Sequence, residues 1–218
     1  MIPVFVIVRD RFIQLKRTIE SLERAEGIDI ILLDNASTYE PTTEYLKSSP
    51  HEVRYVNDNL GHHSPWTTGA VTTGDFFGVT DPDIVVHADC PANWPAFFVR
   101  QLQEHPQFLK CGMSLKIDDI PSSYFLHDGV VAHESQFWRT VHTVSNGIPI
   151  FNAPLDTTLA IYRPGASFNI DPALRVGYPY TAHHLAWYVD SNNLTEDEIY
   201  YREHANKSVA SWRYSEVH

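Results

Sequence analysis

The chain has 218 residues, of which 43% are hydrophobic and 20% are charged, and its formal net charge at pH 7 is −11. This length and apolar content are typical of one folded domain with a substantial core, which excludes a wholly disordered chain. The acidic charge argues against a protein that binds nucleic acid through a basic surface. Two cysteines, Cys90 and Cys111, are too few for a disulfide scaffold or a four-cysteine zinc site.

The start of the chain reads as a strand and not as a targeting segment. The apolar stretch from Ile2 to Val8 lacks a basic leader and runs directly into Arg9-Asp10-Arg11. No apolar run elsewhere approaches the roughly 20 residues that a membrane-spanning helix needs. We therefore expect no signal peptide, no transmembrane segment and a cytoplasmic location.

The first half of the chain alternates strand and helix patterns with short connections. Apolar runs predict strands over residues 3–8, 28–33, 53–56 and 76–80. Between the first two strands, Phe12, Leu15, Ile19 and Leu22 recur at helical spacing, with Asp10 as a candidate N-cap and Gly27 at the end. A short helix is predicted over Thr42–Leu46.

This alternation predicts a mostly parallel sheet with helices on its faces. In such sheets the ligands bind outside the carboxyl ends of the strands. The polar residues that fall at those ends are Arg9, Asp34, Asn59 and Asp81.

The second half is less regular. A helix is predicted over Trp94–Glu104, and strands over Leu109–Ile117 and Thr158–Tyr162, with a polar, histidine-bearing stretch from 118 to 146 between them. Near the end, Thr195-Glu196-Asp197-Glu198 has the pattern of a capping box that opens a final helix, with acidic residues that favour the helix macrodipole. No repeat or linker divides the sequence, so we expect one domain over residues 1–218.

The sharpest local feature is Asp81-Pro82-Asp83, where an apolar strand ends in two carboxylates with a proline that limits the backbone between them. Mg²⁺ and Mn²⁺ prefer oxygen ligands and often keep positions open for phosphate oxygens. An acidic protein that binds an anionic ligand such as a nucleotide diphosphate needs positive charge between the two. The pair therefore predicts a site for Mn²⁺ or Mg²⁺, and the alternative is an ordinary turn.

Four segments in chain order resemble glycosyltransferase family 2. They are Ile7-Val8-Arg9-Asp10-Arg11 with Leu15 and Ser21-Leu22; Ile30-Ile31-Leu32-Leu33-Asp34-Asn35-Ala36-Ser37; Asn59-Leu60-Gly61 with Trp66 and Gly69; and Phe77-Gly78-Val79-Thr80-Asp81-Pro82-Asp83. The last fits the Asp-x-Asp signature of enzymes with the GT-A fold. The resemblance covers roughly residues 3–84. It implies an α/β, Rossmann-like GT-A fold with a central, mostly parallel mixed sheet flanked by helices.

The resemblance also implies roles for each half of the domain and for individual residues. Residues 1–84, approximately, would bind a nucleotide sugar, and residues 85–218 would face the acceptor. Asp81 would reach the ribose or a metal-bound water, and Asp83 would ligate the metal that bridges the diphosphate. The residues that would bind the nucleotide sugar are Val8, Arg9, Arg11, Asp34, Asn59, Gly61, Trp66, Asp81 and Pro82. For each of them the alternative is a purely structural role.

A weaker resemblance lies in the second half. The segments Asp156–Arg163 and His184–Tyr188 look similar to small viral and bacterial GT-A enzymes that use UDP-sugars with Mn²⁺. Enzymes of this fold often recruit a histidine late in the chain as an extra metal ligand. The resemblance therefore implies a metal site of Asp81, Asp83 and His184, with His183 as the alternative histidine.

The catalytic base is where this sequence departs from family 2. The family carries a Glu-Asp pair in the acceptor half, whereas the equivalent region here reads Thr181-Ala182-His183-His184. Asp156, which leads into a predicted strand, and Asp190, which follows Trp187-Tyr188, are the candidates for the base. Glu134 is a third possibility.

These observations favour a metal-dependent glycosyltransferase that moves a sugar from a UDP-sugar to a hydroxyl of a glycan or other acceptor. The first glycine is Gly27, so no glycine-rich phosphate loop follows the first strand. That argues against a nucleotidyltransferase, a dinucleotide-dependent oxidoreductase and a P-loop enzyme. The alternative from a different class is a non-catalytic module that binds a nucleotide sugar or carbohydrate on the same fold.

Overall fold

A computed structural model describes residues 1–71 and 74–205. It confirms the expected α/β class, with a central mixed sheet flanked by helices. The strands are β1 (Ile2–Val8), β2 (Ile28–Asn35), β3 (Glu52–Val56), β4 (Phe77–Thr80), β5 (Ile84–Val86), β6 (Lys110–Leu115), β7 (Val141–Ser145), β8 (Ile148–Asn152), β9 (Ala160–Tyr162) and β10 (Ala173–His184). The predicted domain also includes residues 206–218, which lie outside the described residues.

The helices cover both faces of this sheet. They are α1 (Phe12–Leu22), α2 (Glu40–Ser48), α3 (Ser64–Thr67), α4 (Trp94–Glu104), α5 (His127–Glu134) and α6 (Glu196–His204), with 3-10 turns at Gly61–His63, Ser135–Trp138 and Leu185–Tyr188. None of the helices in the described part of the chain has the length and apolar character that crossing a bilayer requires.

The sheet is parallel through the first half of the chain and mixed in the second. Its strand order is β3-β2-β1-β4-β9-β6-β10-β8-β7, and β5 pairs with β10. The pairs β3/β2, β2/β1, β1/β4 and β6/β10 are parallel. Among the described strands only β5, β8 and β9 run in the opposite direction. The prediction of a mostly parallel mixed sheet is therefore confirmed.

Alternation along β1 explains why its whole length is apolar. Val4, Val6 and Val8 face a core that includes residues of α1 and α4, whereas Phe5 and Ile7 face a second core on the opposite side. Successive side chains of a strand point to opposite faces, so a strand covered on both sides is apolar at every position.

The first helix does not have the N-cap that the sequence predicts. Its N-cap is Arg11, which makes no side-chain capping bond. Asp10 Oδ1 instead accepts the N–H groups of Thr38, at 2.7 Å, and Tyr39, at 2.8 Å, just before α2. Asp10 as the cap of α1 is therefore a wrong prediction, because its side chain reaches across to the loop that follows β2.

The final helix is present as α6, but its acidic first turn is buried. Asp197 and Glu198 are each 1% exposed. Asp197 Oδ2 accepts the N–H of Ile13 at 3.0 Å, and Glu198 Oε2 lies 3.5 Å from Arg11 Nη2. These carboxylates therefore hold α6 against the start of α1. The sequence predicts only that acidic residues in the first turn favour the helix dipole.

The longest strand, β10, is absent from the sequence-based prediction. It pairs with β6 in parallel and with β8 and β5 in antiparallel fashion. At its end His184 lies opposite Ile84, the residue after Asp83. This pairing connects the second half of the chain to the turn that follows β4.

Candidate functional site

A cleft of about 650 Å³ lies at the carboxyl ends of the parallel strands, between the two halves of the chain. Its position agrees with the general rule for ligand sites in such sheets. Most of the predicted site residues line this cleft, namely Arg9, Arg11, Asn59, Gly61, Asp81, Pro82, Asp83, Asp156 and His184.

Two predicted residues at the strand ends face away from the cleft. Val8 is fully buried in the core beside α1, and Asp34 Oδ1 accepts the N–H of Ser37 at 3.0 Å in a local turn. Because side chains alternate along a strand, the neighbouring residues Ile7 and Asn35 line the cleft instead. The expected contacts of Val8 and Asp34 with a nucleotide sugar are thus not supported by their positions.

Trp66 and Asp190 also lie outside the cleft lining. The indole N–H of Trp66 donates to the carbonyl of Ala166 at 2.9 Å, and its ring lies 5.4 Å from that of Tyr162. Asp190 Oδ1 accepts the N–H of Asn192 at 3.0 Å in a local turn. Both side chains have structural partners at their own positions and lie outside the cleft lining, so their predicted roles in donor binding and catalysis stay predictions.

The centre of the site is the pair formed by Asp83 and His184. Asp83 Oδ2 lies 3.4 Å from His184 Nε2, and the two side chains are 5% and 12% exposed. The N–H of Leu185 donates to the Asp83 carbonyl at 2.8 Å. The antiparallel pairing of β10 with β5 therefore brings together two side chains that lie about a hundred residues apart in the chain.

Arg11 lies against the same carboxylate. Its Nη1 donates to Asp83 Oδ2 at 2.6 Å, and its guanidinium lies 4.0 Å from the centre of the Tyr201 ring. Together with Glu198, these contacts hold Arg11 from α6 as well as from the turn after β4. Ion-paired groups of this kind orient a carboxylate and keep it ionised.

The two aspartates of the Asp-Pro-Asp turn differ in their pKa. Burial, together with the charges of Asp83 and Asp156, raises the pKa of Asp81 to about 7, although the Thr157 hydroxyl donates to it at 2.7 Å. Burial also acts on Asp83, but the His184 and Arg11 charges outweigh it and lower the pKa of Asp83 to about 2. The surroundings therefore favour the ionised form of Asp83 more strongly than that of Asp81.

Asp83 and His184 lie close enough for one divalent cation to contact both side chains, provided that the imidazole is neutral, although its charge interaction with Asp83 outweighs burial and raises the pKa of His184. Mg²⁺ holds its ligands at about 2.1 Å, so two donor atoms 3.4 Å apart are able to contact one such ion. Within residues 1–71 and 74–205, no three histidine, cysteine, aspartate or glutamate side chains form a group that could hold a metal ion. The described residues therefore do not show the predicted three-residue metal site of Asp81, Asp83 and His184, which stays a prediction.

The side of the cleft formed by the first half of the chain is built from tight turns. Asn59 Oδ1 accepts the N–H of Gly61 at 3.1 Å, and Gly61 has a φ of 61°, a conformation that favours glycine. The Arg9 guanidinium donates to the carbonyls of Asn35, at 2.9 Å, and Ala36, so it braces the loop after β2. Asn35 Oδ1 is buried without a hydrogen-bond partner in the described part of the chain, and its residue lines the cleft.

On the side of the cleft formed by the second half of the chain, only one of the candidate bases is exposed. Asp156 is exposed and lines the cleft. Glu134 also lines it, but its side chain is 5% exposed and pairs with Arg175 Nη1 at 2.8 Å. Asp156 is therefore the candidate carboxylate that an acceptor could reach directly.

No family model matches the sequence, and no curated protein matches it significantly. Solved structures similar to it include the mannosyltransferase PcManGT from Pyrobaculum calidifontis in complex with GDP-Man and Mn²⁺, with 14% identity and a TM-score of 0.49. Another is glucosyl-3-phosphoglycerate synthase from Mycobacterium tuberculosis in complex with phosphoglyceric acid, with 16% identity and a TM-score of 0.45. These matches cover 78% and 75% of this chain, which spans about half of each protein (48% and 57%).

A third similar structure is 4-diphosphocytidyl-2C-methyl-D-erythritolsynthase from Anaerococcus prevotii, with 12% identity and a TM-score of 0.39. It covers 93% of this chain, and the chain covers 82% of it. At these TM-scores we draw no functional conclusion from any of the three structures.

Four residues in or beside the cleft were not among the site residues predicted from the sequence. They are Asn35, Lys110, Thr157 and Arg175. Asn35 was not predicted because its acidic neighbour Asp34 was chosen as the site residue of that turn. Lys110 carried a visible signal, because it is a charged residue within the predicted strand Leu109–Ile117, and the structure buries it completely. Arg175, which is 4% exposed, carried no such signal, because its strand β10 was not predicted. Buried lysine and arginine are rare unless they are paired, so such positions are candidates for functional networks.

Proposed function

We propose that this protein is a metal-dependent glycosyltransferase that moves a sugar from a UDP-sugar to a hydroxyl of a glycan or other acceptor. The observation that carries the proposal is the Asp83–His184 pair, a carboxylate and an imidazole 3.4 Å apart beside Asp81. The pair lies in a cleft at the carboxyl ends of parallel strands, where α/β proteins bind their ligands. The sequence resemblance of residues 3–84 to glycosyltransferase family 2 supports the same class of reaction.

Asp83 and His184 would hold Mn²⁺ or Mg²⁺, with Asp81 beside them. When bound, the cation would neutralise the negative charge that develops on the leaving diphosphate. Arg11 keeps Asp83 ionised and oriented through its 2.6 Å contact. Because Arg11 is itself held by α6, the geometry of Asp83 is set before any ligand binds.

The nucleoside would lie on the side of Arg9, Asn35, Asn59 and Gly61. These residues line one side of the cleft and would form the wall against which the nucleoside packs. Asp156, exposed across the cleft, would take the proton from the acceptor hydroxyl. A general base must lie within hydrogen-bond reach of the proton that it removes, and among the candidate bases Asp156 has the exposure that this role requires.

The test compares Asp83→Asn with Asp29→Asn by isothermal titration of UDP in the presence of Mn²⁺. Asp29 is an exposed aspartate near the start of β2, at the opposite end of the strands, so it controls for the loss of one charge. We expect Asp83→Asn to weaken Mn²⁺-dependent UDP binding at least tenfold and Asp29→Asn to leave it within twofold. Equal affinities of Asp83→Asn and the parent would refute the metal site.

The absence of a family-2 Glu-Asp pair keeps a non-catalytic nucleotide-sugar-binding module as the alternative. A metal-dependent hydrolysis assay with UDP-sugars separates the two functions. If the protein is an enzyme, UDP is released in a Mn²⁺-dependent reaction that Asp83→Asn abolishes. If it is a binding module, it binds Mn²⁺ and UDP but releases no product.

A further inference from the structure

A buried lysine lies directly beneath the acceptor side of the cleft. Lys110, the first residue of β6, is 0% exposed. Its ammonium donates to the backbone carbonyl of Asp156 at 3.3 Å and to the hydroxyl of Tyr162 at 3.1 Å. Because removing a charged group from water is costly, the burial of Lys110 calls for an explanation beyond packing.

A second buried cation holds the same stretch of chain. Arg175 Nε donates to the carbonyl of Pro154 at 2.7 Å. Lys110 and Arg175 therefore bind alternate carbonyls, those of Pro154 and Asp156, from two neighbouring strands. We call residues 153–157 the acceptor-side segment.

The acceptor-side segment links the candidate base to the Asp-Pro-Asp turn. Thr157 Oγ1 donates to Asp81 Oδ2 at 2.7 Å, and the Asp81 N–H donates to the Thr157 carbonyl at 3.1 Å. The Thr157 N–H donates to Asp156 Oδ1 at 2.9 Å. Thr157, at one end of the segment, is thus bonded to Asp81, while the Asp156 carbonyl accepts its side-chain hydrogen bond from Lys110.

We propose that Lys110 is a positioning residue that fixes the backbone of Asp156 and thereby sets where its carboxylate meets the acceptor. This inference rests on the proposed glycosyltransferase function and assigns it a further residue. Errors of about 1 Å in the placement of a reacting group reduce rates by up to about a hundredfold. Loss of Lys110 therefore acts on turnover, while donor binding, which depends on Asp81, Asp83 and His184, is retained.

The surroundings of Lys110 determine how its effect depends on pH. Burial lowers its pKa to about 8, opposed by the charges of Asp156, Asp171 and Asp81 and reinforced by that of Arg175. As the pH rises through about 8, Lys110 loses its charge, and a neutral amine is a weaker hydrogen-bond donor than an ammonium. The other polar contact of Lys110 is the Tyr162 hydroxyl. This hydroxyl stays protonated at pH 8, because burial raises the pKa of Tyr162 well above its ordinary value.

The first experiment compares Lys110→Met, which keeps the length of the side chain without its charge, with Lys47→Met on the exposed face of α2. We expect Lys110→Met to lower kcat for UDP-sugar turnover at least tenfold, while its Kd for UDP with Mn²⁺ stays within twofold of the parent. Lys47→Met should change neither. A kcat within twofold of the parent, or a proportional loss of donor affinity and kcat, overturns the proposal.

The pH profile of kcat between 7 and 10 provides a second readout, which also applies if Lys110→Met fails to fold. The parent should lose turnover above pH 8, and Lys110→Arg, which stays charged, should remove that alkaline loss. If the parent and Lys110→Arg lose turnover equally above pH 8, the positioning role of Lys110 is overturned. A parent protein without Mn²⁺-dependent UDP binding or turnover overturns the proposed function as well, whereas an active parent with an unaffected Lys110→Met overturns this inference alone.

Discussion

Three buried cations, Arg11, Lys110 and Arg175, each contact a functional segment of the cleft. Arg11 binds the Asp83 carboxylate, whereas Lys110 and Arg175 bind backbone carbonyls of the acceptor-side segment. Removing one partner from such a contact leaves a buried polar group without its bond, which is more costly than the net value of the bond itself. At the scale of single residues, the site is therefore held by charges that are largely shielded from solvent.

Two of the three carboxylates that the sequence offered as a base, Asp156 and Asp190, make a matched pair of variants. Asp156 is exposed in the cleft, and Asp190 lies outside its lining in a local turn. We expect Asp156→Asn to lower kcat at least a hundredfold and Asp190→Asn to leave it within twofold, because an amide accepts no proton. Steady-state kinetics with a UDP-sugar measure both, and UDP affinity should stay constant throughout. A larger loss in Asp190→Asn would reverse the assignment.

At the scale of elements, the contact between α6 and α1 closes one side of the cleft. The first helical N–H groups of α1 have no capping side chain from Arg11, and Asp197 of α6 supplies one to Ile13. The same helix presents Glu198 and Tyr201 to Arg11. A helix near the end of the described chain thus completes the start of the first helix and orients the arginine that binds Asp83.

This arrangement predicts that two neighbouring acidic residues differ in their contribution to stability. Asp197→Ala should lower the free energy of unfolding by about 1–2 kcal/mol, since it removes the acceptor for an N-terminal helix N–H. Glu196→Ala, at an exposed position in the same turn, should cost at most about 0.5 kcal/mol. Urea denaturation measures both variants. Equal losses would mean that the dipole of α6, and not the bond to α1, accounts for the effect.

At the scale of the whole molecule, a net charge of −11 opposes the binding of an anionic donor. One continuous sheet carries both halves of the cleft, so the charges of the two halves act on the same ligand. Arginine side chains line the cleft, but Arg9 and Arg11 are already engaged by carbonyls and carboxylates. A divalent cation would therefore supply the positive charge that a diphosphate needs.

The charge balance predicts that nucleotide binding depends on a divalent cation. UDP should raise the melting temperature by several degrees with Mn²⁺ and by less than one degree with EDTA, and GDP and CMP should have smaller effects. The reason is linkage, because a ligand bound only by the native state raises apparent stability. Thermal-shift titration of the three nucleotides measures this. Equal shifts for all of them, or shifts unaffected by EDTA, would contradict the donor and metal assignments.

The parts of the fold that the sequence predicted are those with a regular local pattern. The helix over Trp94–Glu104 has the predicted bounds, and the four strands of the first half lie within a residue or two of theirs. The strand β10 was missed because Arg175, Gly177 and Pro179 interrupt its apolar pattern. Its three partner strands stabilise it, and such pairings leave no local signal.

By itself, the sequence determined the alternation of strands and helices, the carboxylate pair at the end of β4 and the edge of the sheet where a ligand would bind. Local periodicity and turn chemistry are sufficient for these. Only the tertiary structure decided that His184 and not His183 meets Asp83, that Asn35 and not Asp34 lines the cleft, and that Lys110 contacts the backbone of Asp156. Those contacts depend on strand register and on which face each side chain takes, and both are set by long-range pairing that a linear pattern does not encode.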